Sequence, residues 1–127
     1  MFKISTNGII TVNRGDSFEI PLLLNIGSSI NRIEYDLTET DIIYLGIMEP
    51  NQFFENAIVR KKFTYQDLDK DGNIRVRFWP EDTLFLAPGK YYYQVKIQTT
   101  DSKTGKKDVE TVVDKTLFYI QEWFWIW

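Results

Sequence analysis

The sequence predicts an all-β chain, an immunoglobulin-like two-sheet antiparallel sandwich of about seven strands. Three observations predict it. Apolar and polar residues alternate with a period of two along much of the 127 residues, which is the spacing of strands with one face turned inward. Glycine, proline, asparagine and aspartate punctuate the alternation about every 8–12 positions, the turn spacing of a sandwich. Capped segments with helical spacing are hard to find.

The elements follow in order. Asn7 to Val12 reads as the first strand, and Asn13-Arg14-Gly15-Asp16 as a turn. Ser17 to Ile26 is the second strand, with Phe18, Ile20, Leu22 and Leu24 on one face. Pro21 lies inside it and cannot donate to a ladder, so an edge or a bulge is expected there. Gly27-Ser28-Ser29 breaks the chain, and Asn31 to Thr40 is a looser connection carrying Tyr35 and Leu37. Asp41 to Met48 is apolar on both parities, as a strand covered on both faces is. After the turn Glu49-Pro50-Asn51-Gln52, Phe53 to Asn56 reads as a short helical turn and Ala57 to Tyr65 as a strand. Asp69-Lys70-Asp71-Gly72-Asn73 is the clearest hairpin turn, because Asp-Gly and Gly-Asn tolerate positive φ.

Ile74, Val76 and Phe78 alternate with Arg75, Arg77 and Trp79, and Pro80 ends that strand. Glu81 to Pro88 crosses over with Leu84 and Leu86 expected inward. Tyr91 to Thr99 is a strand with Tyr91 and Tyr93 on one face and Tyr92 on the other. A tyrosine placed here in a sandwich ties its hydroxyl to the crossing loop. The loop 101–107 leads into the last strand, Asp108 to Gln121, with a bulge expected near Asp114. Residues 1–121 thus form one sandwich domain and residues 122–127 an aromatic C-terminal tail.

Composition narrows the chemistry. Nine Phe, seven Tyr and four Trp supply ample apolar area for one core. The chain has neither cysteine nor histidine. Disulfide scaffolds, thiolate nucleophiles, Cys/His zinc sites and histidine acid–base catalysis are therefore excluded. The seven glycines are scattered through turns and make no phosphate loop. Net charge is −3, and the basic residues Arg60-Lys61-Lys62 with Lys103, Lys106 and Lys107 read as solvated strand ends and a loop. No nucleic-acid partner is expected from that balance. No apolar h-region follows Met1, and no apolar run approaches the roughly twenty residues of a membrane span.

Two motifs point to chemistry. Asp67-x-Asp69-x-Asp71-Gly72 copies the start of a calcium loop, in which carboxylates at alternate positions converge on one hard cation. The twelfth position is Phe78 where a bidentate Glu belongs, and a hairpin turn accounts for all three aspartates. Asp67, Asp69 and Asp71 are thus weak metal candidates, and no cofactor is expected. Arg14-Gly15-Asp16 matches an adhesive tripeptide, which a tight turn explains equally. Nothing in the sequence pairs any of Glu34, Asp36, Glu39, Asp41, Glu55, Glu81 and Asp82 across a cleft for catalysis.

The tail is different in kind. Trp123, Phe124, Trp125, Ile126 and Trp127 are consecutive, and one strand buries only alternate residues against its own sheet. The tail is either a last strand folded across the sandwich or a partner-binding patch.

Several runs together resemble a known family. They are Met48-Glu49-Pro50-Asn51-Gln52, Glu55 to Val59, Asp71-Gly72-Asn73-Ile74, Pro80-Glu81-Asp82-Thr83 and Leu86 to Tyr93. With Arg14 to Phe18 and Thr111 to Phe118, they resemble a bacteriophage virion β-sandwich module. It is the module of baseplate upper protein N-terminal domains and of gut-phage head-fibre and other structural proteins. The resemblance spans roughly residues 8 to 121 and consists of turn and strand punctuation. It implies a virion location, multi-copy or homo-oligomeric assembly, other virion proteins as partners, and no catalytic residues. The expectation is a non-enzymatic head-fibre, baseplate or tail adaptor or decoration protein acting through protein–protein contacts. The alternative is a carbohydrate- or receptor-binding module of a phage fibre, using Trp79, the tyrosines or the tail.

Overall fold

The computed structural model describes residues 3–4, 8–22, 25–26, 33–34 and 37–122. Its strands are β1 (Lys3–Ile4), β2 (Ile10–Asn13), β3 (Phe18–Leu22), β4 (Asn25–Ile26), β5 (Ile33–Glu34), β6 (Ile42–Met48), β7 (Val59–Thr64), β8 (Ile74–Phe78), β9 (Gly89–Thr100) and β10 (Lys107–Gln121). One α-helical turn, α1 (Pro80–Leu84), is present among the described residues, with short 3-10 turns at Phe54–Asn56 and Tyr65–Asp67. The protein is all-β.

Six strands form a mixed sheet in the order β1-β2-β10-β9-β6-β7. All its pairings are antiparallel except β2 with β10, where Ile10 stands opposite Phe118 and Val12 opposite Ile120 in a parallel register. β3 and β8 form a separate antiparallel pair, Phe18 opposite Phe78 and Ile20 opposite Val76. β4 and β5 make a third small pair.

One apolar core joins the large sheet to the β3–β8 pair, because the alternation of each strand turns its apolar parity toward the other layer. β2 contributes Ile10 and Val12, and β6 contributes Ile43, Leu45 and Ile47. Tyr91, Tyr93, Val95 and Ile97 come from β9, and Phe118 and Ile120 from β10. Facing them are Phe18 and Ile20 of β3 and Ile74, Val76 and Phe78 of β8. Aromatic rings form the seam. Phe78 stacks on Phe18 with centroids 4.6 Å apart and leans on Phe118 at 5.9 Å, and Phe118 meets Tyr93 edge-on at 6.5 Å. Such pairs add about 0.5–1.5 kcal/mol each beyond the area they bury.

Most expected strands are present, and their faces are as the alternation predicts. In β8 the residues at 74, 76 and 78 are buried while Arg75 and Arg77 are exposed. In β9, Tyr91 and Tyr93 are buried and Tyr92 is only half-buried. β10 slips register between Thr111 and Val113 and between Val113 and Thr116, which places the expected bulge beside Asp114. The expected cover on both faces of β6 holds from Leu45 to Met48, all of them buried. Pro21 sits in β3, whose only partner among the described residues is β8, so its missing N–H breaks no described ladder on the other side.

Three expectations are corrected. The large sheet is mixed and not purely antiparallel, because β2 runs parallel to its sheet neighbour β10. The 69–73 turn does not join a hairpin: β7 pairs with β6 and β8 with β3, and the turn closes only the single bridge Leu68 to Ile74. It carries the chain from one layer to the other, which a hairpin cannot do. Leu84 is not inward but 43% exposed. Residues 80–84 are helical, so facing changes by about 100° per residue and the buried side chain becomes Thr83.

Candidate functional site

The Asp67–Asp71 segment is a hydrogen-bonded turn in which the Asp67 and Asp69 carboxylates are used locally and Asp71 takes part through its N–H. Asp67 Oδ2 accepts the Thr64 N–H at 2.7 Å, a capping arrangement for the 3-10 turn at 65–67. Asp69 Oδ1 accepts the N–H groups of Asp71 and Asn73, both at 2.9 Å, and its Oδ2 meets Arg75 Nε at 3.0 Å. The Asn73 N–H above all, helped by the Asp71 N–H and Arg75, holds the Asp69 carboxyl below its ordinary pKa of 3.8 against the opposing effect of desolvation. Gly72 takes φ +79°, the left-handed value that favours glycine in this turn. Among the described residues no group of three or more carboxylates converges as a metal site.

The Arg14-Gly15-Asp16 turn is fastened to α1. Gly15 N–H donates to Thr83 Oγ1 at 2.8 Å, and Thr83 is fully buried. Arg14 reaches Leu84 O at 3.1 Å through Nη1 and Glu122 Oε1 at 2.6 Å through Nη2. β10 ends beside it, with Arg14 N–H donating to Gln121 O at 2.8 Å. One arginine therefore clamps the loop after β2, the end of α1 and the end of β10. Beside this clamp Phe85 is 84% exposed. The tail residues Trp123, Phe124, Trp125, Ile126 and Trp127 lie outside the described residues and begin immediately after the clamped Glu122.

The tyrosines carry structural hydrogen bonds. Tyr91 Oη donates to Ala87 O at 2.6 Å and Tyr93 Oη to Gly8 O at 2.6 Å. Burial raises both phenols above their ordinary pKa of 10.0, with Glu49 adding to the rise at Tyr91. Trp79 is 51% exposed, with the Arg77 guanidinium 4.7 Å from its ring centroid.

The basic run Arg60-Lys61-Lys62 divides between the two faces of β7. Lys61 turns toward the core side, pairs with Asp82 at 2.6 Å and lies 5.2 Å from the Phe78 ring centroid. Arg60 and Lys62 lie on the outer face. There Tyr44 of β6 stands between Lys62 of β7 and Lys96 of β9, and Gly46 stands between Arg60 and Gln94. Phe54 from the 3-10 turn covers Gly46, where an added Cβ would lie 2.8 Å from Phe54 Cε2. The result is a cleft of about 360 Å³ whose lining includes Tyr44, Gly46, Phe54, Ala57, Arg60 and Lys62. Sequence reasoning missed this cluster, because Tyr44, Phe54 and Lys96 are joined only by sheet pairing. Its one sequence signal is a glycine inside an otherwise apolar strand, a mark of close approach by another group.

The acidic residues are separated in role. Asp41 is buried and its Oδ2 accepts the Thr38 N–H at 2.9 Å. Asp82 serves Lys61 and also accepts the Trp79 N–H at 2.8 Å at the start of α1. No helix among the described residues is long and apolar enough to cross a membrane. In comparisons with known proteins, no family model, curated protein or solved structure matches the chain.

Proposed function

We propose that the protein is a non-enzymatic structural protein of a phage virion, of the head-fibre, baseplate or tail adaptor or decoration type, which acts through protein–protein contacts. The observation that carries this reading is the clamp at Arg14. It holds the last strand's end beside an almost fully exposed Phe85 and a 43% exposed Leu84, at the point where five consecutive large apolar residues begin. Apolar surface concentrated at one end of a domain is the usual mark of a contact surface. The virion setting is supported by the resemblance carried by residues 48–52, 55–59, 71–74, 80–83 and 86–93, with 14–18 and 111–118.

The same reading takes the two layers as an immunoglobulin-like sandwich. It is supported by the separate β3–β8 pair sharing one core with the large sheet, and by Tyr91 bonding back to Ala87 near the start of β9. Trp123, Phe124, Trp125, Ile126 and Trp127 are the proposed partner-binding residues, and other virion proteins or further copies of the chain are the partners. A second reading, a carbohydrate- or receptor-binding module, draws on the exposed Trp79 ring.

Deleting residues 123–127 tests the proposal. The truncated domain is expected to fold, by circular dichroism and thermal melting, and to lose self-association or incorporation into particles. An unfolded product makes the tail part of the core. A folded product that still assembles normally refutes the contact role.

A further inference from the structure

The cleft over Gly46 has an apolar floor and a cationic rim. A Cβ on residue 46 would meet Phe54 Cε2 at 2.8 Å and Ala57 Cβ at 3.0 Å, so glycine is what lets Phe54 and Ala57 close onto the strand and form the inner wall of the cleft. Lys62 Nζ lies 5.9 Å from the Tyr44 ring centroid, and Lys96 Nζ 5.3 Å from that of Phe54. Arg60 is held by two backbone carbonyls, Nε to Ala57 O and Nη2 to Glu55 O, both at 3.0 Å. These bonds leave its outer Nη1 edge for another acceptor. The lining carries Arg60, Lys61 and Lys62 against one carboxylate, Glu55; Lys61 is paired with Asp82, and Lys96 adds a further cation at the Phe54 ring. This is a local positive excess on a chain of net charge −3.

The floor chooses among anions. A sugar ring needs donors and acceptors for its hydroxyls. Here the floor is a glycine, a methyl group and two aromatic rings. An apolar side chain flanked by carboxylates matches both parts. We infer that the Gly46 cleft binds an acidic segment of a partner protein, seating an apolar side chain against Phe54 and placing carboxylates on Lys62, Lys96 and Arg60. The inference rests on the protein-contact reading above and supplies a second contact, on a different surface from the tail.

The probe is the blocked peptide acetyl-Glu-Leu-Glu-amide, titrated into the isotopically labelled full chain. Saturable amide shifts are expected at Gly46, Phe54, Ala57 and Lys62. The double variant Lys62→Glu/Lys96→Glu, both at surface positions, is expected to weaken binding at least about tenfold, since each charge-assisted bond carries roughly that much affinity. The Gln-Leu-Gln and Glu-Gly-Glu peptides are expected to bind more weakly, because each lacks one half of the match. Three results would overturn the inference: no shifts at the cleft, equal binding of the Gln-Leu-Gln peptide, or tighter binding of galacturonate than of the acidic peptide. Loss of assembly on deleting 123–127 with no peptide binding would sink this inference alone. Peptide binding with assembly untouched by the deletion would sink the tail's role alone.

Discussion

Thr83 is the most informative position for stability, because one hydroxyl fastens α1 to the loop after β2. Its side chain is fully buried, and Oγ1 accepts the Gly15 N–H at 2.8 Å. Thr83→Val keeps the shape and removes the acceptor, leaving a half-buried backbone N–H without its partner. An unsatisfied buried donor costs about 1–3 kcal/mol. Thr83→Ser keeps the oxygen and removes one methyl, which costs about 1 kcal/mol for a buried site. The valine variant is therefore expected to be the less stable of the two, although it is the better match in volume. Urea unfolding measures this directly. With a slope of roughly 1–3 kcal/mol per molar, the valine variant's midpoint falls on the order of 1 M with the slope unchanged. Exchange of the Gly15 amide with solvent should quicken in the valine variant and stay slow in the serine variant. If Thr83→Val is as stable as the parent, or more stable than Thr83→Ser, the hydroxyl is not the fastening and the reasoning fails.

Two further outcomes follow from the site geometry. Adding calcium to chelator-treated protein is expected to leave the melting temperature unchanged, because Asp67 and Asp69 are already engaged with Thr64, Asp71, Asn73 and Arg75. A rise of several degrees would show that a cation gathers them, since a ligand bound only by the native state must stabilise it. The buried Tyr93 phenol has its folded pKa above the ordinary 10.0. Its contribution to stability is accordingly complete below pH 10.0 and lost as pH rises through the folded value. The unfolding midpoint should fall more steeply as pH rises above 10.0 in the parent than in Tyr93→Phe, and identical slopes would contradict the assignment.

Much of the fold was legible because facing is a local property. In β8 and β9 each residue's parity, set by the pleat, decided whether it pointed to the core, so Ile74, Val76, Phe78, Tyr91 and Tyr93 could be read as inward from alternation alone. Tyr91's hydroxyl bond and the bulge in β10 were legible for the same reason, each being a response of a strand to its own immediate surroundings. Facing inverted where the local period changed: Pro80 starts a helical turn, and the buried side chain became Thr83 in place of Leu84.

The sequence by itself thus determined the all-β class, the inward faces of β8 and β9 and the missing chemistries of cysteine and histidine. Pairing was another matter. Nothing near Ile10 says that its partner is Phe118, more than a hundred residues away and parallel, and nothing near Asp71 says that the strands on either side belong to different layers. Nor does any local pattern bring Lys96 to the Phe54 ring. Those choices belong to the tertiary structure because a strand offers the same backbone hydrogen bonds to any partner. Which partner it takes depends on the one arrangement that buries both apolar parities in a shared core.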